Sequence, residues 1–268
     1  MARIYGSNRI VGPAGGLRHY TIIGVDGIIA AEKGGANKNL IKRSPVFART
    51  RENNMEWCGV TLSAKLFKYV LGMESIVNRQ LIGDLNRAML IALRRDPVGL
   101  RGKRSLFLSK SKEVLDTVKY YYYKPLADIM KCRYEVDTGP DRRSVTVKMT
   151  NLQPKMQIKA PNEATHYRFL LNIAAVCDLV YKPNDMKYVY VYGESRVKAS
   201  PTELKGEWFP VNTKVLGDLT YTASLDDDYV LEDDMTVMRM FGIEFGKMID
   251  QVYPIKKDRG SCEFLGAI

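Results

Sequence analysis

Lys42-Arg43-Ser44-Pro45-Val46-Phe47-Ala48-Arg49-Thr50-Arg51-Glu52-Asn53-Asn54 decides how the rest of the chain is read. Ser44 is a residue type that caps the free amides of a first helical turn. Pro45 follows at the first helical position, where its missing N–H costs nothing. A helix therefore starts here. From this point to about residue 71 the apolar residues Phe47, Met55, Cys58, Leu62, Leu66, Tyr69 and Val70 recur at steps of three and four, the period of one helix face. Gly59 within it costs about 1 kcal/mol relative to Ala, which marks a kink or a close approach rather than a break.

Upstream, apolar runs at 3–11, 17–24 and 28–33 are separated by glycine turns at 12–16 and 25–27. Asp26-Gly27 between such runs is a hairpin signal, because glycine accepts the positive φ of a tight turn. A small meander is expected, with the following helices as its cover. Downstream, residues 76–95 repeat the helical pattern through Val77, Leu81, Leu85, Met89 and Leu93 until Asp96-Pro97 stops it,. The two segments make an antiparallel helical hairpin. Its outer face carries Arg79, Arg87, Arg94 and Arg95.

After Lys112 the pattern changes. Residues 113–123 are ambiguous between helix and strand, while 130–136 and 144–149 alternate around Thr138-Gly139-Pro140-Asp141 as a hairpin,. Further strands are expected at 166–181, 187–192, 219–225, 237–245 and 262–268. The fold class is α+β: an N-terminal β-hairpin or meander with an antiparallel helical hairpin, then a C-terminal all-β sandwich of Ig-like type. The expected domains are 1–112 and 113–268, with 99–112 as the linker.

The charge follows the same division. Residues 1–112 hold 20 Lys/Arg against 7 Asp/Glu, and residues 113–268 hold 21 against 23. A basic first half suits an anionic partner, either nucleic acid or an acidic protein surface. No apolar run reaches the roughly 18 to 20 residues of a membrane span, and the start lacks the apolar core of a signal peptide, so a cytoplasmic protein is expected. Cys58, Cys132, Cys177 and Cys262 are widely spaced among apolar residues and read as small buried hydrophobes,. His19 and His166 read as strand-face residues.

No pattern of catalytic residues converges. Gly12-Pro13-Ala14-Gly15-Gly16 lacks the Lys-Ser/Thr ending of a phosphate loop, and Gly34-Gly35 opens no immediate helix,. The acidic run Asp226, Asp227, Asp228, Glu232, Asp233 and Asp234 lacks calcium-loop spacing,. No enzyme activity, cofactor or metal is expected. The candidate interaction residues are Lys42, Arg43, Arg49, Arg51, Glu52, Arg101, Lys103 and Arg104 on the basic side, with Asp226, Asp227, Asp228, Asp233 and Asp234 on the acidic side. An acidic loop of one copy docking on the basic half of the next gives a head-to-tail contact. Sixteen tyrosines, four of them at Tyr120–Tyr123, suit surfaces that are wet until assembly,. The expected function is thus a non-enzymatic assembly protein, a homo-oligomer, filament or complex subunit. The alternative is a nucleic-acid-binding protein that uses the basic helix starts as a phosphate clamp.

Pro45-x-Phe47-x-Arg49-Thr50-Arg51-Glu52-Asn53 with Glu56-Trp57 resembles a motif of a family of uncharacterised Bacteroidetes proteins. Lys33-Gly34-Gly35, Asp96-Pro97, Arg101-Gly102-x-Arg104, Thr165-His166-Tyr167, Gly242-Ile243-Glu244-Phe245 and Tyr253-Pro254 extend the resemblance over nearly the whole chain. Trp57-Cys58 stands where Phe-Gly is usual. The resemblance implies a two-part architecture and brings no catalytic residue with it.

Overall fold

A computed structural model describes residues 2–4, 12–22, 25–32, 35–73, 76, 78, 80–255 and 259–268. Arg79, Val77, most of the strand expected at 3–11 and the end of that at 28–33 lie outside the described residues. The chain forms two compact units, residues 1–51 and 52–268. The division falls after Arg51, not after Lys112, because the helices share one hydrophobic core with the C-terminal sheets.

The first unit contains β1 (Ala2–Ile4), β2 (Gly12–Ala14), β3 (Leu17–Tyr20), β4 (Ile28–Glu32) and α1 (Lys38–Arg43). The strands form one antiparallel sheet in the order β1-β4-β3-β2. Ala14 pairs with Leu17, leaving Gly15 and Gly16 as a two-residue turn with φ of 58° and 78°. Positive φ at both positions is the backbone of the hairpin turn that matches strand twist, and only glycine adopts it freely. The short helix α1 has no buried residue and so no apolar period by which to read it. It forms through its ends: the Asn37 side chain accepts from the Leu40 amide at 2.8 Å, and the Ser44 amide closes on the Leu40 carbonyl,. A 3-10 turn at Pro45–Phe47 then leads into α2 (Ala48–Leu71).

The second unit continues with α3 (Leu81–Arg94), α4 (Leu126–Ile129), β5 (Tyr134–Thr138), β6 (Ser144–Leu152), α5 (Pro154–Gln157), β7 (His166–Val176), β8 (Leu179–Lys182) and β9 (Lys187–Tyr190). It ends with α6 (Glu194–Lys198), β10 (Thr202–Lys205), β11 (Phe209–Pro210), β12 (Gly217–Ser224), β13 (Thr236–Met248), β14 (Val252–Pro254) and β15 (Ser261–Ala267). At its centre β7 and β13 pair antiparallel from Thr236 opposite Val176 to Gly246 opposite His166. The strands β10 and β11 flank β7, and β14 and β15 flank β13. A three-stranded sheet runs β12-β6-β5, and β8 and β9 form a separate hairpin.

Both faces of the β7–β13 pair are covered, which explains why these strands are apolar almost throughout. On one face Phe169 and Phe241 stack on each other and meet Tyr221 of β12 and Tyr134 of β5. The opposite face meets the end of α2 and the turn after it. A Cβ on Gly242 would lie 2.5 Å from the Ile76 side chain, and one on Gly72 would lie 2.8 Å from the Asn172 amide. The two C-terminal sheets thus pack face to face as expected of a sandwich, but helices clothe the second face of the larger one.

Ser63 of α2 contacts Met89 of α3 at 3.3 Å. The inward face of α2 is only partly the one expected. Leu66 and Val70 are buried as expected, and Gly59, Val60, Ser63, Ala64 and Phe67 are buried with them, whereas Cys58, Leu62 and Tyr69 are exposed. The small residues set this rotation by permitting close approach. A Cβ at Gly59 would stand 2.7 Å from the Tyr188 ring, whose hydroxyl donates to the Arg104 carbonyl. Cys58 is therefore a correction to the expectation of four buried cysteines; Cys132, Cys177 and Cys262 are buried. Tyr120–Tyr123 belongs to no strand: Tyr120 is buried and stacked on Phe264, and Tyr123 is exposed.

Candidate assembly surfaces

In the first unit the basic residues gather around α1. Lys42 and Arg43 occupy its last turn and are exposed, where positive charge is favoured by the helix dipole. Arg51 donates from one guanidinium nitrogen to the carbonyls of Ile41 at 2.7 Å and Ser44 at 2.8 Å. The Ile41 carbonyl lies in the last turn of α1, and the Ser44 carbonyl also accepts the Phe47 amide at 3.2 Å, so Arg51 braces the end of α1 against the turn that follows it,. Arg49 is exposed on the first turn of α2. Among the described residues of this unit the buried apolar side chains are Ile28, Ile29 and Ala30, all on β4, beside the half-polar His19. Leu17, Ile22, Leu40 and Val46 are exposed. The unit carries nine Lys/Arg against two Asp/Glu over residues 1–51.

In the second unit the loop after α3 is latched to the start of α2. Glu56 is 5% exposed, accepts the Gly102 amide at 2.9 Å, and lies 3.6 Å from the Arg104 guanidinium. Arg101 meets the Asn53 side chain at 2.9 Å and Glu52 at 3.6 Å. Lys103 points outward and is exposed. Asp96 closes the loop from the other end: its carboxylate accepts the amides of Val98, Gly99 and Ser105 at 3.0, 3.1 and 2.7 Å. Burial pushes the Asp96 carboxyl up, but the amides of Ser105, Val98 and Gly99 and the nearby Arg104 outweigh it and hold the group below its ordinary value. A depressed carboxylate contributes stability that is present above its unfolded pKa and is lost as pH falls through the folded one. Acidification below the ordinary aspartate range, about 3.9, is thus expected to loosen residues 96–105. The Asp96→Asn variant should show a shallower decline of Tm with acid than the parent, and parallel curves would remove Asp96 as the cause.

The acidic loop between β12 and β13 is held by arginines that bind mostly its backbone. Arg143 donates to the carbonyls of Tyr229 and Asp226, and Arg142 to those of Met235 and Glu232. Arg196 of α6 reaches the Val230 carbonyl and pairs with Glu232 at 2.8 Å. The carboxylates are left outward. Asp226, Asp227, Asp228, Asp233 and Asp234 are exposed; Arg142 comes no nearer than 3.9 Å to Asp233, and Asp234 accepts from the Tyr192 hydroxyl at 2.7 Å. That bond pushes the Tyr192 hydroxyl up to about 12. The loop is fixed in shape while its negative charge faces solvent.

The predicted residues therefore fall into three groups. Lys42, Arg43, Arg49 and Arg51 belong to the first unit; Glu52 with Arg101, Lys103 and Arg104 forms the latch; the aspartates form the loop. Among the described residues no group of three His, Cys, Asp or Glu side chains could hold a metal ion, and no helix is long and apolar enough to cross a membrane. Sequence reasoning missed Glu56, Asp96, Arg142, Arg143 and Arg196, which position the latch and the loop. Asp96 had a signal in the Asp-Pro stop. The arginines had none, because their partners lie more than thirty residues away.

No family model matches this chain, and neither the curated proteins nor the solved structures contain a match.

Proposed function

We infer that the protein is a non-enzymatic assembly subunit whose basic N-terminal unit docks on the acidic loop of a neighbouring copy. The observation that carries this reading is the division of charge between the two units,. Residues 1–51 are strongly basic, and the one acidic run of the chain, at 226–234, is a preshaped loop with outward carboxylates. The contact is head-to-tail, so it propagates into a ring or a filament.

A phosphate clamp built from the basic helix starts is less well supported. Arg51 is spent on two carbonyls, and Arg101 and Arg104 are engaged with Glu52 and Glu56.

Light scattering on the intact protein tests the reading. Mass should rise above 30.4 kDa with concentration at low salt and return toward it at about 1 M, where the Debye length shrinks to about 3 Å. Reversing the loop (Asp226→Lys, Asp227→Lys, Asp228→Lys) or the helix end (Lys42→Glu, Arg43→Glu) should abolish association in each variant alone. An equimolar mixture of the two should associate again, because each unlike pair of surfaces is restored. A parent protein that stays monomeric at high concentration and low salt sinks the proposal.

A further inference from the structure

Three loops at one end of the second unit each present a lysine followed directly by an exposed apolar side chain. They are Lys155-Met156 on α5, Lys214-Val215 before β12, and Lys247-Met248-Ile249 where β13 ends. Met156 is 79% exposed, Ile249 68% and Val215 63%, and Met248 is open to solvent with them. Tyr253, which pairs with Lys247 across the hairpin of β13 and β14, is exposed as well.

Backbone hydrogen bonds tie these loops together. The Lys155 amide donates to the Thr213 carbonyl at 3.1 Å, and the Thr213 amide to the Pro210 carbonyl at 3.2 Å. The Val211 amide donates to the Thr165 carbonyl at 3.0 Å, and the Thr165 hydroxyl accepts the Met248 amide at 2.7 Å. A single exposed apolar residue is ordinary, whereas several on adjoining loops at one end of a unit mark a surface that meets something less polar than water.

The occupant follows from charge and from the opposite end of the same strand. Residues 153–157, 211–216 and 247–253 hold three lysines and one carboxylate, Asp250. The acidic loop at 226–234 precedes β13, and the thirteen residues of that strand put it roughly 40 Å from these tips. The unit is therefore bipolar along β13. The acidic loop of a second copy matches the charge of this end, but Val230 is the one large apolar side chain it exposes, too little to cover Met156, Val215, Met248, Ile249 and Tyr253. An anionic bilayer offers both parts, acidic headgroups for the lysines and an acyl boundary for the apolar tips, while the carboxylates of the acidic loop point away from it.

We propose that this end of the second unit docks on the surface of an anionic lipid bilayer, with Met156, Val215, Met248 and Ile249 entering the headgroup region and Lys155, Lys214 and Lys247 meeting the lipid phosphates. The contact is independent of the subunit contact proposed above, and it leaves the acidic loop free.

Flotation of the intact protein with vesicles of phosphatidylcholine alone, and of an equimolar mixture with phosphatidylglycerol, tests it. The mixed vesicles should carry the protein up and the neutral ones should not. The basic first unit is itself drawn to anionic lipid, so the deciding variant leaves charge unchanged: Met156→Ser, Val215→Ser and Ile249→Ser combined should weaken partitioning roughly tenfold or more. These side chains are exposed, so Tm should not move. In Ile249→Trp the added indole emission should shift to the blue on mixed vesicles, relative to a parent that carries Trp57 and Trp208 alone. Absence of binding to either vesicle, undiminished binding of the serine variant, or an added indole signal that does not shift on bound vesicles would each overturn the proposal. So would a parent oligomer that the serine substitutions dissociate without lipid, because the tips would then be covered by a second copy.

Discussion

Replacing Arg168 with Met is expected to lower the free energy of unfolding by about 3–5 kcal/mol. Arg168 and Glu244 sit directly opposite on β7 and β13, and two guanidinium nitrogens reach the same carboxylate oxygen at 2.7 and 2.6 Å. The side chains are 18% and 4% exposed, so neither charge keeps much of its hydration. The guanidinium is also stacked 4.4 Å above the Trp208 ring. Removing the arginine leaves a carboxylate on the central strand pair of the larger sheet, near one end of its ladder, with its charge uncompensated, which costs far more than the pair contributed in net terms. Glu244→Leu should be damaging too, though less so, because the guanidinium of Arg168 retains the Trp208 face and more contact with water. Combining Arg168→Met with Glu244→Leu removes both charges and should restore most of the loss. Denaturant unfolding of the two single variants and the double variant checks this. A double variant as unstable as the sum of the singles would show that the two residues act independently, and the buried-charge account would be wrong.

The central sheet was the most legible part of the chain, for a physical reason. A strand covered on both faces needs apolar residues at nearly every position, and a hairpin with one covered face alternates. Both patterns are local: Val145, Val147 and Met149 mark β6, and the run from Met235 to Phe245 marks β13. The strand expected across 166–181 ends earlier, at Val176, because Asp178 turns out of the ladder to accept the Ser109 amide and hydroxyl at 2.9 and 2.6 Å. That interaction spans 69 residues and has no sequence period. The helical period of α2 was equally clear, yet it only partly revealed which face is inward. Gly59, Ser63 and Ala64 count for little on a hydrophobicity scale, and they are buried because Tyr188 and Met89 fit against them. The charged residues were legible as a list but not as pairs. Arg49 and Arg51 sit two positions apart in one motif, and nothing in that spacing says that Arg51 turns back to brace the end of α1.

Gly102→Val is the second large effect, expected at about 3 kcal/mol of lost stability. Gly102 has φ of +85°, a region that a β-branched residue enters only with strain,. A Cβ there would also lie 3.0 Å from the Cα, Cβ and Cγ atoms of Glu52. The first carbon of α2 that it meets is backbone, which cannot rotate away as a side chain would. Relief therefore requires the loop to lift off the helix. Lifting it breaks the bond from the Gly102 amide to Glu56 and leaves that carboxylate, 5% exposed, with only the Arg104 contact at 3.6 Å. Strain, overlap and an under-satisfied buried carboxylate thus act together at one position. Gly102→Ala should cost less than the valine, since it brings a similar overlap without β-branching. Glu56→Gln keeps an acceptor for the amide and should cost least. Hydrogen exchange separates local from global loss: in Gly102→Val the amides of Gly99, Gly102 and Ser105 should exchange faster than in the parent while those of β7 and β13 keep their ranking. Unchanged exchange at 99–105 in a destabilised variant would show that the loop stays seated and that the strain is absorbed elsewhere.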